Sequence, residues 1–308
     1  MINLNKKYIC LFAIICLINI SCNTNINEEL YPIYDEISGK CGYINKNGSI
    51  KIEPRFERAR YFYEGLAAIR INNKWGFIDK KGKIIIEPQF KYVGRFSENL
   101  ANIADIKGES WGYIDKFGNI QIPLKYKMAQ PFSEGYAVVR DSYKDLYINY
   151  KGNIVNIIKD NLFLLNFSEG YAAFGLIKPE KWGFLDKSGT IKIAPIYASA
   201  RAFKNGLAPV RVNNKYGYID KNNKIIIPTI FDDAYEFSEG LAVVRVANKY
   251  GYINKKGKFI INPKYYFAFS FHNGLGEIVE KNNNEYYSGY INKTGKYIWK
   301  GKGVREDY

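Results

Sequence analysis

The residues of this 308-residue chain best equipped for chemistry are its one histidine, His272, its four cysteines, and a glutamate that recurs as Glu64, Glu98, Glu134, Glu169 and Glu239. None of them assembles into a reaction centre. A lone histidine allows at most one His-based dyad or triad and no His-rich metal site. His272 has no neighbouring motif and reads as a surface turn residue. A catalytic carboxylate pair needs two acids in unlike surroundings, one a proton donor and the other not. A glutamate copied five times at one position is expected to serve its turn instead. Asp79, Asp115, Asp186 and Asp220 recur in the same way, without the dense alternating oxygens of a calcium loop. The sequence carries no phosphate loop, HExxH or CxxC motif. The expectation is a non-enzymatic protein with no metal and no cofactor.

The cysteines divide by location. Lys6 and Lys7 precede an apolar run from Tyr8 to Ile18. That run is shorter than the roughly 20 residues of a membrane span and fits an export signal. Residues 1–21 are read as signal peptide. Ser21-Cys22 resembles the lipobox of bacterial lipoproteins, which implies cleavage before Cys22 and lipidation of it; Asn19 departs from the usual apolar residue three before the cysteine. Cys10 and Cys16 leave with the signal, so Cys41 is the one remaining thiol and no disulfide forms within the mature chain. The formal charge of +15 falls to +13 over 287 residues when Lys6 and Lys7 are lost. Residues 22–38 are polar and read as a tether behind the anchor.

From Gly39 onward one pattern repeats. A Gly-aromatic-Ile-Asp/Asn unit recurs at Gly42, Gly76, Gly112, Gly183, Gly217, Gly251 and Gly289, with an eroded copy at Leu146. A second unit, of the type Phe-Ser-Glu-Gly-Leu-Ala, interleaves at Gly65, Asn99, Gly135, Gly170, Gly206, Gly240 and Gly274. Such phase agreement marks a repeat protein. Asp-x-x-Gly, as in Asp79–Gly82, predicts a tight hairpin turn, with the carboxylate bonded to its own backbone and glycine at positive φ. Short β-branched segments such as Lys83–Glu87, ended by proline, predict strands.

Lys74-Trp75-Gly76, Trp111-Gly112 and Lys181-Trp182-Gly183, with the Gly turn, Ile-x-Pro and Phe-Ser-Glu-Gly that follow, resemble the bacterial WG (KWG) repeat family. Cys41, Asp145 and Ser288 depart from the pattern. The resemblance implies an all-β array over residues 39–308, about seven and a half repeats, with no catalytic or binding residues to carry over. Eight Gly-aromatic halves and seven Leu-Ala halves favour an open, curved array with like ends. A closed, propeller-like ring, which prefers equal numbers, is the alternative.

Two surfaces could bind. Lys46, Lys80, Lys116, Lys187, Lys221, Lys255 and Lys293 follow the turn Asp or Asn and form a possible basic stripe. It is either a solvated turn edge or a contact for anionic membrane. The repeated Trp75, Trp111, Trp182, Tyr216 and Tyr250 read as core, with a ligand face as the other possibility. The resulting expectation is a monomeric, lipid-anchored protein of the bacterial envelope. It presents a binding or scaffold surface to a protein, a glycan or another envelope component. A purely structural spacer is the alternative. Export argues against nucleic acid as the partner.

Overall fold

Each Gly-aromatic segment pairs antiparallel with the Leu-Ala segment before it and the Ile-x-Pro segment after it. The computed structural model describes residues 28–155, 162–283 and 285–303, and its described residues form eight sheets. The first contains β1 (Leu30–Asp35), β2 (Lys40–Asn45) and β3 (Ile50–Phe56). The second contains β4 (Arg58–Tyr63), β5 (Leu66–Ile71), β6 (Lys74–Ile78) and β7 (Ile84–Phe90). Six more four-stranded sheets follow over residues 92–126, 128–155, 162–197, 199–231, 233–265 and 267–302. Strand order within every sheet follows chain order. The expected signal, residues 1–21, and Cys22 lie outside the described residues.

The sheets are the blades of a closed eight-bladed propeller, so the closed alternative holds and the open array does not. The missing sixteenth half-repeat is β1. Leu30, Tyr31 and Ile33 are buried and pair with β2 as Leu-Ala segments do elsewhere. The expected tether of residues 22–38 is therefore corrected over Leu30–Asp35, which is a blade strand. This copy lacks the Phe-Ser and Gly-Leu-Ala letters, which concealed it in the sequence.

Closure uses the contacts that join every other pair of blades. The turn glycine of one blade packs on the outer strand of the blade before it, as Gly118 does on Ile86 and Gly152 on Ile122. Gly48 of the first blade approaches the Ile298 carbonyl of the last. The second aromatic of the Gly-aromatic unit donates its hydroxyl to the next blade's inner strand: Tyr43 to the Arg60 carbonyl, Tyr113 to Gln130 and Tyr218 to Tyr235. At closure Tyr290 donates instead to the Pro32 carbonyl of β1, the innermost strand of the three-stranded first blade, at 2.7 Å. Burial raises the hydroxyl pKa of Tyr113 and Tyr218 well above the ordinary tyrosine value, so these donors keep their protons.

Repeats of 34 to 38 residues are long enough for four strands because connections are minimal. Only Glu57 separates the outer strand β3 from the next inner strand, β4. The name-giving glycine has a specific duty. Trp75 pairs with Phe90 but Phe77 pairs with Ile86, so the outer strand arches over Gly76. The proline lies in that arch, where an N–H is not required by the ladder.

Candidate functional site

The inner strand of each complete blade ends in the Phe-Ser-Glu-Gly turn, and these turns crowd around the axis. Glu64 and Gly65 both have positive φ, as a two-residue hairpin of the mirror-image type requires. The serine hydroxyl of one turn donates to the phenylalanine carbonyl of the next: Ser97 to Phe132, Ser133 to Phe167, Ser168 to Phe203 and Ser238 to Phe271.

The repeated glutamates form a second ring of contacts. Glu64 accepts from the backbone N–H groups of Glu98 and Asn99. Glu134 accepts from Gly170 and Glu239 from Gly274, each at 3.0 Å. The same carboxylates meet the turn lysines of the following blade: Lys116–Glu64, Lys187–Glu134, Lys221–Glu169 and Lys293–Glu239, with Lys80 on Glu29. Tyr150, which replaces lysine in the eroded copy, donates to Glu98 at 2.6 Å. Burial alone would raise the carboxyl pKa values of Glu64 and Glu134. Hydrogen bonds from lysine and backbone outweigh it and hold both below the ordinary value. The glutamates thus serve the neighbouring turn rather than only their own.

These pairs also place the expected lysine stripe. Lys80, Lys116, Lys187, Lys221 and Lys293 are held in inter-blade ion pairs. Lys46 and Lys255 make no ion pair among the described residues, and the corresponding glutamate positions hold Asn273 and Asn205. Half-exposed pairs of this kind contribute only about 0–1 kcal/mol each. Trp75, Tyr216 and Tyr250 are buried in the inter-blade cores, and Trp111 and Trp182 pack against them. Cys41 is buried likewise. Asp79 accepts from the backbone of Lys81 and Lys83, as its turn role requires.

The axis itself encloses a cavity of about 990 Å³. Its wall comes from the residue that precedes the turn phenylalanine. That position holds Tyr61, Arg95, Pro131, Ala202, Glu236 and Ser270 in six blades. Its chemistry changes from copy to copy, as does that of the residue before it (Arg60, Gly94, Gln130, Arg201, Tyr235, Phe269), while the phenylalanine that follows is the same in every copy. Sequence reasoning passed over it because a residue without a pattern gives no repeat signal.

Further departures gather where the last blade meets the second. Glu277 is 3% exposed, at a position that is Ala68, Val138 or Ala173 elsewhere. It accepts a hydrogen bond from the Tyr61 hydroxyl at 2.8 Å. His272 stands in the serine position and packs against the rings of Tyr61 and Tyr63, with centroids 5.0 and 5.2 Å away. It is half-buried on the channel wall, which corrects its reading as a plain surface turn residue. Burial holds its pKa below the ordinary histidine value, against the opposing fields of Glu29 and Glu239. Arg95 lies over the Tyr63 ring at 4.8 Å.

Comparison with known proteins matches the family model described as "WG containing repeat" at residues 42–75, 75–103, 111–144, 182–216, 216–250 and 250–284. No curated protein matches the sequence. Among solved structures, Hsv2 of Kluyveromyces lactis is similar at 10% identity and TM-score 0.49, over 78% of this chain and 95% of that one. A quinonprotein alcohol dehydrogenase-like protein from Bacteroides thetaiotaomicron is similar at 10% identity and TM-score 0.48, over 85% and 81%. A streptogramin B lyase is similar at 16% identity and TM-score 0.43, over 74% and 93%.

Proposed function

The chain belongs to the WG-repeat family, and from that premise we propose that it is a non-enzymatic binding protein which receives its ligand in the central channel of the propeller. The observation that carries this reading is the split between uniform and variable positions. Ladder, turn and clamp residues repeat from blade to blade, whereas the channel wall alternates among Tyr61, Arg95, Pro131, Ala202, Glu236 and Ser270. A spacer needs only the uniform part. The cavity, at about 990 Å³, is at the upper end of ordinary ligand sites, roughly 300–1,000 Å³.

The lysine ring supports this channel reading over a basic docking stripe, because five of its seven members are already matched by carboxylates. An export signal at 1–21 and a lipid on Cys22 would put the propeller at the bacterial envelope, with an envelope protein or glycan as its natural partner. Cys22→Ala is expected to release the protein from the membrane fraction and abolish its lipid label; unchanged partitioning with no lipid label on the wild type would sink the anchor.

The channel is tested by filling it. Ala202→Trp places an indole on the half-buried wall, and is expected to reduce capture of envelope components at least tenfold while the fold melts as before. Ile230→Trp, on an exposed outer-strand residue, serves as control and should capture normally. If Ala202→Trp captures as well as the wild type, the ligand does not use the channel.

A further inference from the structure

We propose that the channel selects a short peptide with both ends free, a zwitterion, by holding its carboxylate at Arg95 and its ammonium at Glu236; this rests on the channel reading above. Arg95 belongs to the third blade and Glu236 to the seventh. In a ring of eight those blades are diametrically opposed. Both residues occupy the same repeat position, directly before Phe96 and Phe237, and both line the channel, so they stand at one level on opposite sides of the axis.

Neither charge has an ion-pair partner among the described residues, unlike the nearby Arg201 and Glu239. Arg201, whose field reaches Glu236, is paired with Asp233 at 3.0 Å. Glu239 at the mouth is held by Lys293 and the Gly274 N–H, and Glu277 takes the Tyr61 hydroxyl. Arg95 has its guanidinium over the Tyr63 ring, a contact through the ring face that leaves N–H donors of its planar fork for a carboxylate. The turn glutamates are paired across blades, so two opposed charges without ion pairs on the channel wall are what a ligand with complementary ends would match. A neutral glycan offers neither counter-charge. A uniformly anionic or cationic ligand satisfies one wall and is repelled by the other.

The probe is an unblocked tetrapeptide library passed over the immobilised mature protein, beside the same library N-acetylated, C-amidated or both. Retention is read by mass spectrometry. The unblocked library should be retained at least tenfold over the doubly blocked one. Arg95→Gln should remove the discrimination between free acid and amide, and Glu236→Gln that between free amine and acetyl, each leaving the other intact. Lys256→Ala, on an exposed outer turn of the seventh blade away from the channel, should leave both. Equal retention of all four libraries, no retention of any, or discrimination that survives both substitutions overturns the proposal. If Ala202→Trp still abolishes envelope capture in that event, the channel binds something other than a zwitterionic peptide; if capture is also unaffected, the channel reading falls with it.

Discussion

Replacing Gly217 by alanine is expected to cost the propeller about 3 kcal/mol, at the upper end for overpacking one methyl group. An added Cβ would lie 2.5 Å from the Ile227 carbonyl oxygen and 2.8 Å from the Pro228 carbonyl, all backbone atoms of the arching outer strand. Side chains can rotate away from an intruding methyl; this arch cannot without breaking the pairs Tyr216–Phe231 and Tyr218–Ile227 on either side. In blade four Leu146 occupies the glycine position, and among the described residues the outer strand there pairs Ile154 and Val155 with Ile148 and Tyr147. Denaturant melting checks the prediction. A loss under 1 kcal/mol would mean that the arch yields and that the glycine is not fixed by it.

Tyr31→Ala is expected to cost about 3–5 kcal/mol, the range for removing a buried aromatic ring. Tyr31 is fully buried between the first and last blades, in a cluster with Ile33, Ile44, Leu275 and Tyr290. Its hydroxyl donates to the Asn273 carbonyl at 2.6 Å, so Tyr31→Phe should lose about 1 kcal/mol, the net worth of one hydrogen bond. The pair of variants examines ring closure itself. In an open array this residue would belong to a tether, and both substitutions would be silent. Equilibrium unfolding of the two proteins distinguishes the cases.

The fold was largely legible in the sequence, for a physical reason. A turn that needs positive φ, a strand that arches over a glycine and a lysine that must meet the next carboxylate each restrict residue type, and repetition multiplies each restriction. The Gly76 and Asp79 positions could therefore be read directly. Closure was harder to read. It depends on Leu30–Asp35, which keeps only the run of buried residues of its repeat and none of the letters that identify the other copies. The glutamates were recognised as structural, but their partners lie 34 to 37 residues ahead, a distance that a single repeat cannot show. The candidate site was the least legible part. Tyr61, Arg95 and Glu236 are informative because they do not repeat, and only the ring brings them to one axis. Glu277 could have been noticed as the one charged residue at a position that is Ala68, Val138, Ala173 or Val243 elsewhere, and His272 as the lone histidine at a position that is most often serine.

Binding in the channel is tested most directly by site-specific photo-crosslinking. A benzophenone side chain placed at Ser270, on the channel wall, and another at Ile230, exposed on an outer strand, would be irradiated in envelope extract. The prediction is covalent adducts from position 270 that disappear when Ala202→Trp is added, and none above background from position 230. Adducts from position 230 alone, or from both positions alike and indifferent to Ala202→Trp, would contradict it.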